Sequence, residues 1–254
     1  MRSMRMGRAF ARAALCRLTV AAGLVVLGGA AARGQAVAES LAQCQNEKGT
    51  AAARISACTR TIEQAVDPEV RGEAYLQRGV LHEINGETAA AVRDYTEAIK
   101  LDGSNAVAYF NRGNANDQLG QYDLAIADYT EAIKRDPGDP DFYNNRGQTH
   151  DAKGEHDRAV ADYSEAIRLD ASNPQPLYNR GLSLANQGDY AGAIADFDRA
   201  LALAPSDLDL YVARGAANEE LGNDAAARAD YRRVLEIDPD HEDALEGLNR
   251  LGDD

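Results

Sequence analysis

An all-α fold built from tandem helical hairpins is what this sequence predicts, and three observations predict it. Residue columns recur every 34 positions, five times over. Glycine and proline punctuate those columns at regular places. The composition has no Trp, only four Phe and abundant Ala and Tyr, which favours closely packed helices over a sheet sandwich.

The first element reads as an address. Residues 1–38 hold six arginines and no acid, with a fifteen-residue uncharged run at Leu18–Ala32 followed by Ala36-Val37-Ala38. A basic start, a short apolar stretch and a small-residue end describe a secretory signal peptide, so residues 1–38 are expected to be cleaved and the mature chain to be periplasmic or secreted. An uncleaved inner-membrane anchor is the alternative, although fifteen helical residues reach only about 22 Å across a core of roughly 30 Å.

Residues 39–66 read as a degenerate helical hairpin, Ser40–Asn46 and Ala51–Ala65, with a turn at Glu47–Thr50. Cys44 and Cys58 sit one on each helix. In an oxidising compartment such a pair most simply forms a disulfide, worth about 3 kcal/mol in the chain-entropy model. Two buried thiols or a reactive pair are the other readings; the spacing is not C-x-x-C and no nearby His completes a metal set.

The repeats follow at 72–105, 106–139, 140–173, 174–207 and 208–240. Gly79, Gly113, Gly147, Gly181 and Gly215 are each preceded by Arg, and a second glycine recurs from Gly86 to Gly222. Ala91, Ala125, Ala159, Ala193 and Ala227 form another column. Asp94, Asp128, Asp162, Asp196 and Asp230 form the next, each followed by an aromatic. Small residues at Gly113 and Ala125 let two helix axes approach while Tyr109 and Tyr129 fill the space around them. Gly120 ends the first helix where a left-handed residue is cheap. Asp136-Pro137, Ala204-Pro205 and Asp238-Pro239 end second helices, and Pro140 and Pro174 open first ones. Arg228 departs from the Val or Ile of its column. Residues 241–254 supply a capping helix and tail, with Ala244, Leu245, Leu248 and Leu251 on one face.

These columns resemble the tetratricopeptide-repeat family, in an exported bacterial form with Arg-Gly in each repeat. The resemblance covers roughly residues 72–241. It implies a right-handed αα-superhelix, a solenoid of five repeats flanked by the N-terminal hairpin and the capping helix, whose first helices line a concave side. It further implies protein or peptide binding rather than catalysis.

Five Arg before five Gly, with five Asp one helix later, read as Arg–Asp pairs within or between repeats that fix the angle between repeats; an anion-binding ladder is the alternative. Two first-helix columns are left over. Asn111, Asn145 and Asn179 recur with Gln77, broken at Ala213; mid-helix Asn has poor propensity, so each either bridges to a neighbouring repeat or pairs with the backbone of an extended peptide. The resemblance suggests the latter, since some family members use an asparagine ladder. Phe110 and Tyr178 head the second column as aromatic anchors, with Asn114, Asp117 and Asp151 as polar walls, unless neighbouring helices cover them. A Lys-rich clamp for C-terminal carboxylates, used by some family members, has no counterpart.

Residues 39–254 carry 21 basic against 41 acidic side chains, a formal charge of −20. That sign disfavours nucleic acid and anionic membrane surfaces and suits a neutral or basic peptide. No nucleophile elbow, phosphate loop or metal spacing appears, and His82 and His150 occupy columns where Asn116, Leu184 and Asn218 stand, as replaceable packing residues. No enzyme activity, cofactor or metal is expected. The expected function is a non-catalytic envelope adaptor; the alternatives are a self-associating scaffold and a membrane-anchored assembly factor, and the sequence leaves the oligomeric state open.

Overall fold

The computed structural model describes residues 30–252. Among them the chain forms thirteen α-helices and no strand. They divide into two compact units, one ending at Pro137 and one beginning at Gly138.

The first unit holds α1 (Ala30–Cys44), α2 (Ala51–Gln64), α3 (Pro68–Ile84), α4 (Thr88–Leu101), α5 (Ala106–Gln118) and α6 (Tyr122–Arg135). Helix α1 begins ten residues ahead of the expected Ser40 and ends at Cys44 instead of Asn46. Alanines at 30, 31, 32, 36 and 38, with no proline among them, favour helix over this stretch. The expected cleavage site Ala36-Val37-Ala38 lies inside α1, whereas the Arg-rich start and most of the apolar run lie outside the described residues. Cys44 and Cys58 are fully buried against Leu81 and bonded, with S–S 2.10 Å. One helical turn before Cys44, the hydroxyls of Ser40 and Thr61 meet at 2.7 Å in the same α1–α2 seam.

The second unit holds α7 (Pro140–Ala152), α8 (His156–Leu169), α9 (Pro174–Asn186), α10 (Tyr190–Leu203), α11 (Leu208–Glu220), α12 (Asp224–Leu235) and α13 (Glu242–Arg250). Pro140 and Pro174 take the first helical turn, behind Asp139 and Asn173, whose side chains accept from the backbone N–H of Asp141 and Gln175 at 3.0 Å. Each first helix of a repeat ends two residues before a glycine of positive φ, Gly120 at +72° for example, a conformation a Cβ would disfavour.

The capping helix corrects one expectation. Leu245 is 46% exposed, and Gly247 instead takes the inner seat, its backbone against the Tyr231 ring with no room for a Cβ. Ala244 is buried beside it while Leu248 and Leu251 are half-buried. The departure at Arg228 is explained here too, since its guanidinium donates to the Leu251 carbonyl at the end of α13.

Candidate binding surface

What a hairpin leaves available to a ligand follows from what its own seam consumes. A Cβ on any glycine of the Gly79–Gly215 column would stand 2.5 to 2.8 Å from the aromatic ring sixteen residues later, so glycine and ring fix the helix spacing together. One residue earlier, Arg78, Arg112, Arg146, Arg180 and Arg214 each grip the aspartate sixteen residues on through two parallel bonds of 2.5 to 2.9 Å. All five aspartates are buried.

The pairs thus join the two helices of one hairpin; the link between repeats is the third nitrogen. Nη1 of Arg78, Arg112 and Arg180 donates to Thr59, Thr96 and Ser164 of the preceding hairpin at 2.8 to 3.2 Å, and Nη1 of Arg214 meets Asp198 at 2.5 Å. The arginines also lie over first-helix rings, Tyr75, Tyr109, Tyr143 and Tyr211, at 5.5 to 5.8 Å from the centroid, and only Leu177 breaks that column.

The histidines belong to this seam. His82 Nδ1 meets Glu87 at 2.5 Å and its Nε2 lies 3.6 Å from Asp94. His150 repeats the arrangement with Glu155 at 2.7 Å and Asp162 at 3.9 Å. Asn116 does the same work by donating to Asp128 at 3.0 Å. Among the described residues no group of His, Cys, Asp and Glu has metal-holding geometry, and no helix is long and apolar enough to cross a membrane.

A further seam contact was missed in the sequence. Each buried tyrosine carries its hydroxyl to an acceptor back on the first helix: Tyr95 to Glu83, Tyr129 to Asn114 at 2.8 Å, Tyr163 to Asp151 at 2.9 Å and Tyr231 to Glu219 at 2.9 Å. Where the ring is Phe197, with no hydroxyl, the residue twelve earlier is Ala185, with no acceptor. Burial followed by the neighbouring Glu83 charge raises the Tyr95 phenol, and burial raises the Glu83 carboxyl.

This accounting redistributes the expected site. Phe110 is buried, its ring 5.9 Å from Tyr129, and is a core residue instead of an open anchor. Asp151 accepts from Tyr163, Ser183 and the His156 ring, so it is an internal acceptor more than a wall. Asn111 is only 1% exposed, and neither atom of its amide has a partner.

In the second unit the asparagines bridge the first helices: Gln175 donates to Asn179, Asn179 to Asn144 and Asn144 to Asn145, at 3.0, 3.0 and 3.3 Å. Of the expected residues, Asn114 and Asp117 in the first unit and Asn145, Asp151 and Tyr178 in the second stay half-exposed. The structure assembles them on first helices but does not line Asn111 and Asn179 up as an open ladder.

The 34-residue hairpin, with its glycine–aromatic contact and glycine-capped first helix, is matched by a sequence profile. The tetratricopeptide-repeat profile covers residues 76–140, 110–174 and 178–242. The chain belongs to the tetratricopeptide-repeat family. Its fold is an all-α solenoid of such repeats, and its broad role is that of a protein-interaction module. No curated protein matches it in sequence.

Solved tetratricopeptide-repeat structures share the fold at low identity. YrrB, described as having an unusual peptide-binding site, is 22% identical with TM-score 0.66, over 77% of this chain and 99% of its own. A repeat protein from Parabacteroides merdae is 16% identical with TM-score 0.68, over 86% and 93%. MamA from Desulfovibrio magneticus is 17% identical with TM-score 0.62, over 69% and 97%.

Proposed function

We propose that the protein is a non-catalytic adaptor that holds an extended, neutral or basic polypeptide segment on the outward positions of its first helices. One observation carries the reading: the seam consumes the recurrent residues, while the half-exposed first-helix positions differ from repeat to repeat. At one first-helix position Asn144, Tyr178 and Val212 succeed one another, each half-exposed. Variable chemistry on a constant frame is what selective recognition of a chain requires. The acidic balance of the chain favours a basic partner, and YrrB, a protein of the same fold, is described as having a peptide-binding site.

Export to an oxidising compartment belongs to the same proposal, supported by the Arg-rich, then apolar, start and by the Cys44–Cys58 bond, of a kind rare in reducing cytosol.

A photoreactive amino acid placed at Gln148, exposed on first helix α7, or at Ala161, exposed on second helix α8, tests the surface. Crosslinks to partner polypeptide are expected from position 148 and not from 161. Crosslinks from 161 alone would move binding to the other face and end this reading.

A further inference from the structure

The fourth repeat departs from its neighbours in one chemical direction. Helix α9 carries Tyr178, Leu182 and Ala185 where α7 carries Asn144, Gln148 and Asp151. Each change replaces an amide or carboxylate by a less polar side chain. Spacings of four and three residues set the three on one stripe. All three are half-buried, resting on a core that Leu177, Phe197, Ala200 and Leu210 already fill. From α11, Ala213 joins the same core and Ala216, three residues on, is exposed. The outward atoms of the stripe therefore remain for something else to cover.

The cations nearest the stripe in sequence, Arg180 and Arg214, are held by Asp196 and Asp230. Asp209 is exposed at the start of α11 and takes part in no ion pair, whereas Glu219 on the same helix is consumed by Arg250 and Tyr231. Asp207 is exposed as well, accepting from the Asp209 backbone N–H at 3.1 Å. Asp209 adjoins Leu210, which is buried in the same core that Tyr178, Leu182 and Ala185 rest on. Burial, then the charges of Asp209 and Asp207, push the Tyr178 phenol up to about 12.

We infer that this part of the second unit is a specificity pocket for a segment presenting a large apolar side chain next to a Lys or Arg. The apolar group covers Tyr178, Leu182 and Ala185, and the cation pairs with Asp209. The inference rests on the reading of the first-helix faces as the peptide surface and narrows its partner class: an acidic or wholly polar segment would leave the stripe wet and face Asp209 with the wrong sign. Leu182 is the residue that decides it, because its counterpart Gln148 shows that the position accepts an amide without loss of the hairpin.

Phage display of random twelve-residue peptides against the full chain tests it, with enriched peptides synthesised and titrated onto the wild type, Leu182→Gln, Asp209→Asn and Gln148→Ala. Enriched peptides are expected to share an apolar–basic pair. Leu182→Gln should weaken them about tenfold, as expected for an anchor contact. Asp209→Asn should weaken them less and remove both the preference for Lys or Arg and most of the salt dependence. Peptides that bind with Kd unchanged in both variants, while still crosslinking at position 148, would overturn the pocket and leave the peptide reading standing. No enriched peptide at all would overturn both. A dimer of the full chain in light scattering that Leu182→Gln dissolves would overturn it in favour of a second copy as the occupant.

Discussion

The seam of each hairpin and the outward face of its first helix lie on the same element and obey different rules. At the seam, five arginines, five glycines and five aspartates recur without exception, and the structure gives each a fixed partner sixteen residues away. Two or three residues from that seam, half-exposed positions change from Asn144 to Tyr178 to Val212. Recurrence here marks packing, and under the proposed function the variable positions mark recognition. The asparagine column shows the hazard of reading it the other way: Asn179 donates to Asn144 on the preceding first helix, and Asn111 is buried.

Breaking the seam should cost most where a charge is stranded. Arg180→Met leaves Asp196, 3% exposed, with only Arg199 at 3.5 Å. A loss of about 3 kcal/mol is expected in urea denaturation, the lower end for an unpaired buried charge, because Arg180 is itself partly exposed. Restoring most of that stability by adding Asp196→Leu would confirm the stranded carboxylate as the cause. Gly181→Ala comes next: its Cβ would lie 2.5 Å from Phe197 Cε1, on a rigid ring that is fully buried. Overpacking of this kind costs about 1–3 kcal/mol, against a helix-propensity gain of about 1. Gln148→Ala on the outward face should stay within about 0.5 kcal/mol of the wild type. A Gly181→Ala as neutral as Gln148→Ala would erase the distinction between the two regions.

A sharper test uses the one repeat that lacks the phenol. Phe197→Tyr would place a hydroxyl opposite Ala185, where no acceptor stands, and an unmet buried donor costs about 1–3 kcal/mol. Ala185→Asp alone should change little, because the site is half-exposed. Together they should rebuild the contact seen between Tyr163 and Asp151, so the double variant is expected to recover most of the loss. A double-mutant cycle with no coupling would show that the tyrosine–acid contact is incidental to the seam.

Much of this was legible before any coordinate. A period of 34 with glycine, alanine and aromatic columns exposes the hairpin, because each column follows from a contact local to it. The Arg–Asp pairing was legible for the same reason, although its reach was not. Spacing alone could not say that the carboxylate lies on the same hairpin while the third guanidinium nitrogen crosses to the preceding one. The candidate site was read less well. Phe110 and Tyr178 occupy one column, yet the first is buried against Tyr129 and the second stays half-exposed, a difference set by neighbouring helices that no single repeat encodes. Asp151 was taken for a wall because its partners His156, Tyr163 and Ser183 stand five, twelve and thirty-two residues on, and only the folded hairpins bring the three together. The signal that would have found them is the coincidence of Phe197 with Ala185, two departures twelve residues apart in one repeat.

The smallest expected effect concerns Glu131, a charge that belongs to neither region. Glu131 lies towards the end of α6, and hydrogen bonds from Arg135 and then Lys134 hold its carboxyl down to about 2, from an ordinary value of 4.5. Folded chains therefore bind fewer protons at this group than unfolded ones across that interval. Its contribution to stability is complete above pH 4.5 and disappears as the pH falls through 2. Glu155 adds a second contribution in the same window, held to about 2 by Lys153, then His150 and Arg158. Buried Glu83 is displaced upward, so its ionisation opposes folding as the pH rises. Denaturation midpoints measured from pH 5 to 2 should fall steadily in the wild type and less steeply in Glu131→Gln. Added salt should shrink the difference between the two chains, as screening does for exposed pairs. Identical slopes would mean that Glu131 carries none of the acid sensitivity, which would then rest with other carboxyls held down by cations, Glu155 and Glu219 among them.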